Sequence, residues 1–115
     1  SVNLGMVGVF EAAKAVTDKK ILVTTKYTDK TSFGPDNYIT SLLYDFTQPL
    51  VDIVTKIKAG ETGGYYPLGF ATGVKLQLPL QNVDAAVNTQ VEEIINKVID
   101  GTIVVVKDSA EIKTK

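Results

Sequence analysis

Thirteen carboxylates, twelve lysines and five tyrosines are the ionisable side chains of this 115-residue sequence, which contains no cysteine, histidine or arginine. Without Cys and His there is no thiol nucleophile, no disulfide, no imidazole base and none of the usual zinc ligand sets. Without Arg there is no bidentate fork for a carboxylate or phosphate. The carboxylates Glu92-Glu93 and Asp108 with Glu111 read as solvated surface, because neighbours on a helix point about 100° apart and cannot act on one bond. Ser32 and Ser41 have no His to activate them. The glycines at 60, 63, 64, 69 and 73 match neither a phosphate loop nor a dinucleotide fingerprint, and read as turn punctuation. No catalytic residue, metal site or cofactor is therefore expected. Two features remain. Gly5-Met6-Val7-Gly8-Val9-Phe10 opens a helix with small residues, which lets backbone N–H groups approach a polar ligand atom. Tyr27, Phe33, Tyr38, Tyr44 and Phe46 cluster in one part of the chain, where they either stack on a flat ligand or fill a small core.

Composition bounds the remaining choices. The length suits one domain, and 44% apolar with 22% charged residues is globular composition. A net charge of −1 removes the basis for nonspecific binding to nucleic acid or anionic membrane. No stretch reaches the roughly 18 apolar residues of a membrane helix, and residues 1–5 carry no signal-like pattern.

The periodicity predicts the elements that position these residues. Met6, Val9, Phe10, Ala13 and Val16 mark one side of a helix over 5–16. A strand follows at 21–25, then a long loop over 26–37 and a second strand at 38–43. Thr47 caps a helix whose Leu50, Val51, Ile53, Val54 and Ile57 form a broad apolar face, ended by Gly60 and carrying an Asp52–Lys56 pair. A strand pair is expected at 65–70 and 74–78. A third helix over 84–99 uses Asn82 or Asp84 as cap and Val87, Val91, Ile94, Ile95 and Val98 as its inner face. Gly101 closes it, and Thr102–Val106 forms a last strand. This alternation predicts an α/β fold with a parallel or mixed sheet flanked by helices.

Four strings in register resemble the C-terminal third of the basic-membrane-protein family, the surface lipoproteins that serve as substrate-binding receptors of nucleoside-importing ABC transporters. They are Gly8-Val9-Phe10-Glu11-Ala12-Ala13-Lys14, Pro35-Asp36-Asn37-Tyr38-Ile39-Thr40-Ser41, Ile57-Lys58-Ala59-Gly60-Glu61-Thr62-Gly63-Gly64 with Leu68-Gly69-Phe70, and Ile99-Asp100-Gly101-Thr102-Ile103-Val104-Val105. The resemblance implies a type I periplasmic-binding-protein-like fold, of which residues 1–115 form a single C-terminal segment. The first lobe lies upstream, so the chain is either a fragment or a diverged half. It also implies a noncatalytic receptor for a nucleoside-like solute, working with the membrane subunits of an ABC transporter. Its location is extracytoplasmic, at the cell surface, anchored through an N-terminal region outside this chain.

Carried over residue by residue, the family's first ribose-binding acid falls on Tyr27, its second acid on Asp29, the Lys after its "TS" on Tyr44, and its glycine-rich turn on Gly5. Replacing both charged groups by phenols removes charge-assisted hydrogen bonds of roughly 1.5–3 kcal/mol each. Either the two tyrosines take a different flat, neutral solute or these positions bind nothing. The alternative from another class is a self-associating structural protein built from the same segments.

Overall fold

The computed structural model describes residues 5–106. They form a small mixed α/β domain: a three-stranded sheet with flanking helices. Helix α1 (Met6–Ala15) turns Phe10 and Ala13 inward, where they meet Val23 and Tyr38, with Met6, Ile21 and Phe33 packed around them. Val9 and Val16, expected on that face, are exposed, so the inner stripe is narrower than the apolar pattern. Phe10 sits edge-on to Phe33 with centroids 6.2 Å apart, and 6.4 Å from Tyr38. Gly34 makes room for it: a Cβ there would lie 2.7 Å from Phe10 Cδ1.

Strand β1 (Val23–Tyr27) begins two residues later than its β-branched run, because Asn37 fixes the approach. The Asn37 side-chain amide donates to the Ile21 carbonyl at 2.7 Å, and the Val23 N–H donates to the Asn37 carbonyl at 2.7 Å. The loop over 28–37 contains a short 3₁₀ turn, Thr31–Phe33. It returns the chain so that β2 (Tyr38–Tyr44) lies parallel to β1, with Thr24 opposite Thr40 and Tyr27 opposite Leu43. Strand β3 (Val74–Leu76) pairs antiparallel with β2, placing Val74 opposite Tyr44 and giving the order β1-β2-β3.

In helix α2 (Thr47–Lys58) Thr47 is the first helical residue rather than the cap: Phe46 occupies the cap position without a side-chain cap bond, and the Asp45 carboxylate before it accepts the Thr47 N–H at 3.0 Å. Pro49, in its first turn, packs on the Gly73 turn, where φ is +105° and a Cβ would lie 2.4 Å from the Asp45 carbonyl. Only glycine fits there. The expected apolar face of α2 is not a core face. Leu50, Val51, Ile53, Val54 and Ile57 are all exposed, Leu50 by 59%, and only the irregular segment around Tyr65 and Tyr66 borders Ile53 and Ile57 in a shallow concavity. The Asp52–Lys56 pair runs through a third residue: the Tyr66 hydroxyl donates to Asp52 at 2.6 Å, and the Lys56 ammonium stands 5.9 Å from the Tyr66 ring centroid.

The strand expected at 65–70 does not form: residues 65–68 are irregular and lead into a turn over 69–73, where Thr72 Oγ1 accepts the Gly69 N–H and donates to the Pro67 carbonyl, both at 2.8 Å. Asn82, at φ +58°, bridges the Pro35 and Tyr38 carbonyls instead of capping a helix. Asp84 occupies the cap position of α3 (Ala85–Ile99) without a side-chain cap bond. Val91, Ile95 and Val98 are half-buried, whereas Val87 and Ile94 are exposed. Gly101 follows at φ +82°, the left-handed stop that the sequence predicts. The final strand does not form. Residues 102–106 make no ladder, and Val104, Val105 and Val106 are largely exposed.

Candidate functional site

Parallel strands β1 and β2 both end in tyrosine, so their carboxyl ends carry Tyr27 and Tyr44 side by side. Their ring centroids are 5.1 Å apart with 37° between planes, within the range of favourable aromatic pairs. Phe46, just before α2, extends the row: its ring stacks on Tyr44 at 5.9 Å and 30°. The Lys26 ammonium lies 5.2 Å from the Tyr27 ring centroid, inside cation–π range. Tyr27 is 41% and Phe46 48% exposed, so the row is a surface platform with a charge at one end. Tyr27 itself adopts φ +78°, unusual for a bulky side chain, where the strand stops and the loop begins. In open α/β sheets the region beyond the carboxyl ends of the strands is where ligands gather.

Asp29 lies next to the platform in sequence, but its carboxylate is largely committed within the protein. Oδ1 accepts the Thr31 N–H at 2.7 Å and the Thr31 hydroxyl at 2.6 Å, and Oδ2 accepts from the Gln77 amide at 2.7 Å. These three bonds leave about one of the roughly four acceptor directions of a carboxylate. The Thr31 hydroxyl, then the Thr31 N–H, then Gln77 hold Asp29 below the ordinary value of 3.8, with Lys30 adding a smaller attraction.

From Gln77 the network runs into the sheet. The Tyr38 hydroxyl, fully buried, is 2.6 Å from Gln77 Oε1 and 2.7 Å from Ser41 Oγ, and Ser41 contacts the Thr25 hydroxyl. A phenol has one proton, so Tyr38 donates to the Gln77 carbonyl, which can only accept, and takes the Ser41 proton. Every member is thereby satisfied, as a buried polar network requires.

Gly5 stands apart from these groups. It precedes α1 with φ −76° and ψ −15°, its carbonyl accepts the Val9 N–H at 3.2 Å, and a Cβ there would meet nothing within 4 Å. No glycine-specific turn is needed at this position, and no hydrogen bond among the described residues links Gly5 to the tyrosines. Of the four residues singled out in the sequence, Tyr27 and Tyr44 come together, Asp29 serves the loop, and Gly5 opens a helix. Phe46 belongs to the aromatic cluster read in the sequence, whereas Lys26 and Gln77 were not singled out. Lys26 is the neighbour of Tyr27 and was legible as such, but Gln77 carries no local signal because its partner is 48 positions away.

Concave regions also lie elsewhere among the described residues. One, of about 170 Å³, is lined by Ile53, Lys56, Glu61, Tyr65 and Tyr66. Another, of about 490 Å³, is apolar and lined by Leu42, Leu68, Phe70, Val74, Val98 and Ile103. Neither contains Tyr27, Tyr44 or Phe46. No group of three or more metal-ligating side chains occurs among the described residues, and none of their helices is long and apolar enough to cross a membrane. The fold and platform define a small mixed α/β domain bearing an exposed aromatic surface. Comparison of the chain with protein-family models, curated proteins and solved structures finds no match.

The carboxylates set the pH response. Asp45 is held below 3.8 by the Thr47 N–H and hydroxyl, Asp52 by the Tyr66 hydroxyl and Gln48, and Asp100 by the Thr102 hydroxyl and N–H, as Asp29 is by Thr31. Tyr66 is raised above 10.0 by the carboxylate it donates to. A lowered acid stabilises the fold above its unfolded value and loses that contribution as pH falls through its folded value. A raised phenol stabilises below its unfolded value and loses that contribution as pH rises through its folded one. The melting temperature is therefore expected to be flat between about pH 5 and 9 and to decline modestly on both sides, below 3.8 as the four solvent-screened acids take up protons. A calorimetric pH series checks this, and a maximum near pH 4 contradicts it.

Proposed function

We propose that this chain is a noncatalytic solute-binding domain, the nucleoside-type receptor component of an ABC importer, related to the basic-membrane-protein family of cell-surface lipoproteins. In this reading it is the C-terminal part of a two-lobed, type I periplasmic-binding-protein-like receptor, it acts outside the cytoplasm, and it hands its solute to the transporter's membrane subunits. The observation that carries the reading is the Tyr27–Tyr44 pair. The two positions that the resemblance assigns to charged ligand contacts, separated by sixteen residues of chain, meet at 5.1 Å on the carboxyl edge of parallel strands. A flat base stacks on such rings at about 1–3 kcal/mol per base, without needing the lost charges. The absence of His, Cys and Arg supports binding rather than turnover.

A thermal-shift screen of the full chain with purine and pyrimidine nucleosides tests the proposal. A nucleoside at 100 times its dissociation constant stabilises by about 2.7 kcal/mol, which raises the melting temperature by several degrees. No shift with any nucleoside at millimolar concentration overturns the reading.

A second reading, a self-associating structural protein without a ligand, is favoured by a different observation: the uncovered Leu50, Val51 and Ile57 on α2 and the exposed run Val104–Val106. Unpartnered β-branched runs and apolar stripes seek a partner. Sedimentation velocity separates the two, because the structural reading requires a concentration-dependent assembly and a monomer at all concentrations removes it.

A further inference from the structure

We infer that Gln77 is a positioning residue for the solute platform: it locks the loop carrying Asp29, and with it the end of β1 at Tyr27, to the buried hydroxyl of Tyr38. The inference rests on Tyr27 and Tyr44 being the solute site. Gln77 follows β3, and its own backbone is fixed before its side chain acts. Its N–H donates to the Ser41 carbonyl at 2.9 Å, and its carbonyl accepts the Thr40 hydroxyl at 2.7 Å, so both backbone groups are held by the central strand.

The amide then reaches two ways. Oε1 accepts the Tyr38 hydroxyl proton at 2.6 Å, and Nε2 donates to Asp29 Oδ2 at 2.7 Å. The orientation is dictated, since the Asp29 carboxylate can only accept and so takes the Nε2 side, which leaves Oε1 to accept the Tyr38 hydroxyl proton. Glutamine is the uncharged side chain of this length that offers an acceptor on one side and a donor on the other. Asp29 passes the restraint to Thr31 through two bonds, which pins the segment directly after Tyr27. Tyr27 leaves the strand at φ +78°, so its ring direction depends on where this segment is held. The groups acting on the Asp29 carboxylate are Thr31 and Gln77 by hydrogen bond and Lys30 by charge, with the Tyr38 phenol one bond further inward. A binding platform keeps its geometry only if a supporting shell holds it.

The test uses two variants of the full chain, because one of them could perturb folding. Gln77→Met removes both amide contacts at similar length, and Gln77→Glu keeps an acceptor for Tyr38 while setting a second carboxylate against Asp29. Two readouts are taken: the Asp29 carboxyl titration by carbon-detected NMR, and the dissociation constants for adenosine and uridine. We expect the Asp29 titration to move upward in both variants, further in Gln77→Glu because like charges face each other, and nucleoside affinity to fall at least fivefold. A merely structural residue elsewhere would not move the Asp29 titration. An unmoved titration in both variants overturns the coupling. A raised titration with unchanged affinity overturns the positioning role while leaving the platform intact. Failure of the unaltered chain to bind either nucleoside overturns the platform itself, and the titration then still reports separately whether Gln77 holds the loop.

Discussion

Phe10→Ala is expected to remove a large share of the stability of this domain. Phe10 is fully buried and touches both rings of its cluster, and large-to-small aromatic changes in cores cost about 3–5 kcal/mol. Small domains have only about 5–15 kcal/mol in total. The loss weighs heavily here because the buried apolar residues are few among the described ones: Phe10, Ala13, Val23, Tyr38, Val74 and Leu80. Phe10→Leu keeps much of the volume and is expected to lose considerably less. Leu50→Ala, on the uncovered face of α2, is expected to change stability by no more than about 0.5 kcal/mol. Urea unfolding followed by circular dichroism measures all three. Equal losses for Phe10→Ala and Leu50→Ala contradict the assignment of the core to α1 and the sheet.

Tyr44→Ala is expected to produce the largest loss of solute binding. Its ring is the middle of the row, in contact with Tyr27 at 5.1 Å and Phe46 at 5.9 Å, so its removal takes away a stacking surface and the support of both neighbours. A single base-stacking aromatic is worth about 1–3 kcal/mol, or roughly a fivefold to more than hundredfold change in affinity. Tyr27→Ala removes an end of the row and is expected to cost less than Tyr44→Ala. Tyr44→Phe keeps the stack and separates ring from hydroxyl: unchanged affinity assigns the role to stacking, and a large loss assigns it to a hydrogen bond. Tyr66→Ala, on the Asp52 side of α2, is the control and is expected to leave affinity unchanged.

The elements that periodicity located and those it misplaced differ in what holds them. Helix α1 and strand β2 are anchored by their own side chains, Phe10 and Tyr38, whose burial is visible as a pattern in the sequence. Helices α2 and α3 are present where the spacing places them, yet the same spacing says nothing about what lies over Leu50 or Ile94, both of which are exposed. Thr102–Val106 has strand-forming residues without a strand, because a strand also requires a partner edge. The turn over 69–73 was hidden because it depends on the Thr72 hydroxyl reaching back to Pro67 and Gly69. In the site, the aromatic clustering and the resemblance pointed to Tyr27 and Tyr44, and parallel pairing of β1 with β2 brings them together. The role of Asp29 was not legible, since a carboxylate in a loop looks the same whether it faces a ligand or is engaged by Thr31 and a distant Gln77.

The central claim is that the aromatic row holds a flat, uncharged solute. An NMR titration of the full chain with adenosine and uridine, following the aromatic ring and backbone amide resonances, tests it most directly. The account predicts saturable shifts in the rings of Tyr27, Tyr44 and Phe46 and in the amides of 26–31 and 43–46. Saturable shifts centred instead on Tyr65 and Tyr66 or on the Leu42–Ile103 groove, or no saturable shift with either nucleoside, contradict it.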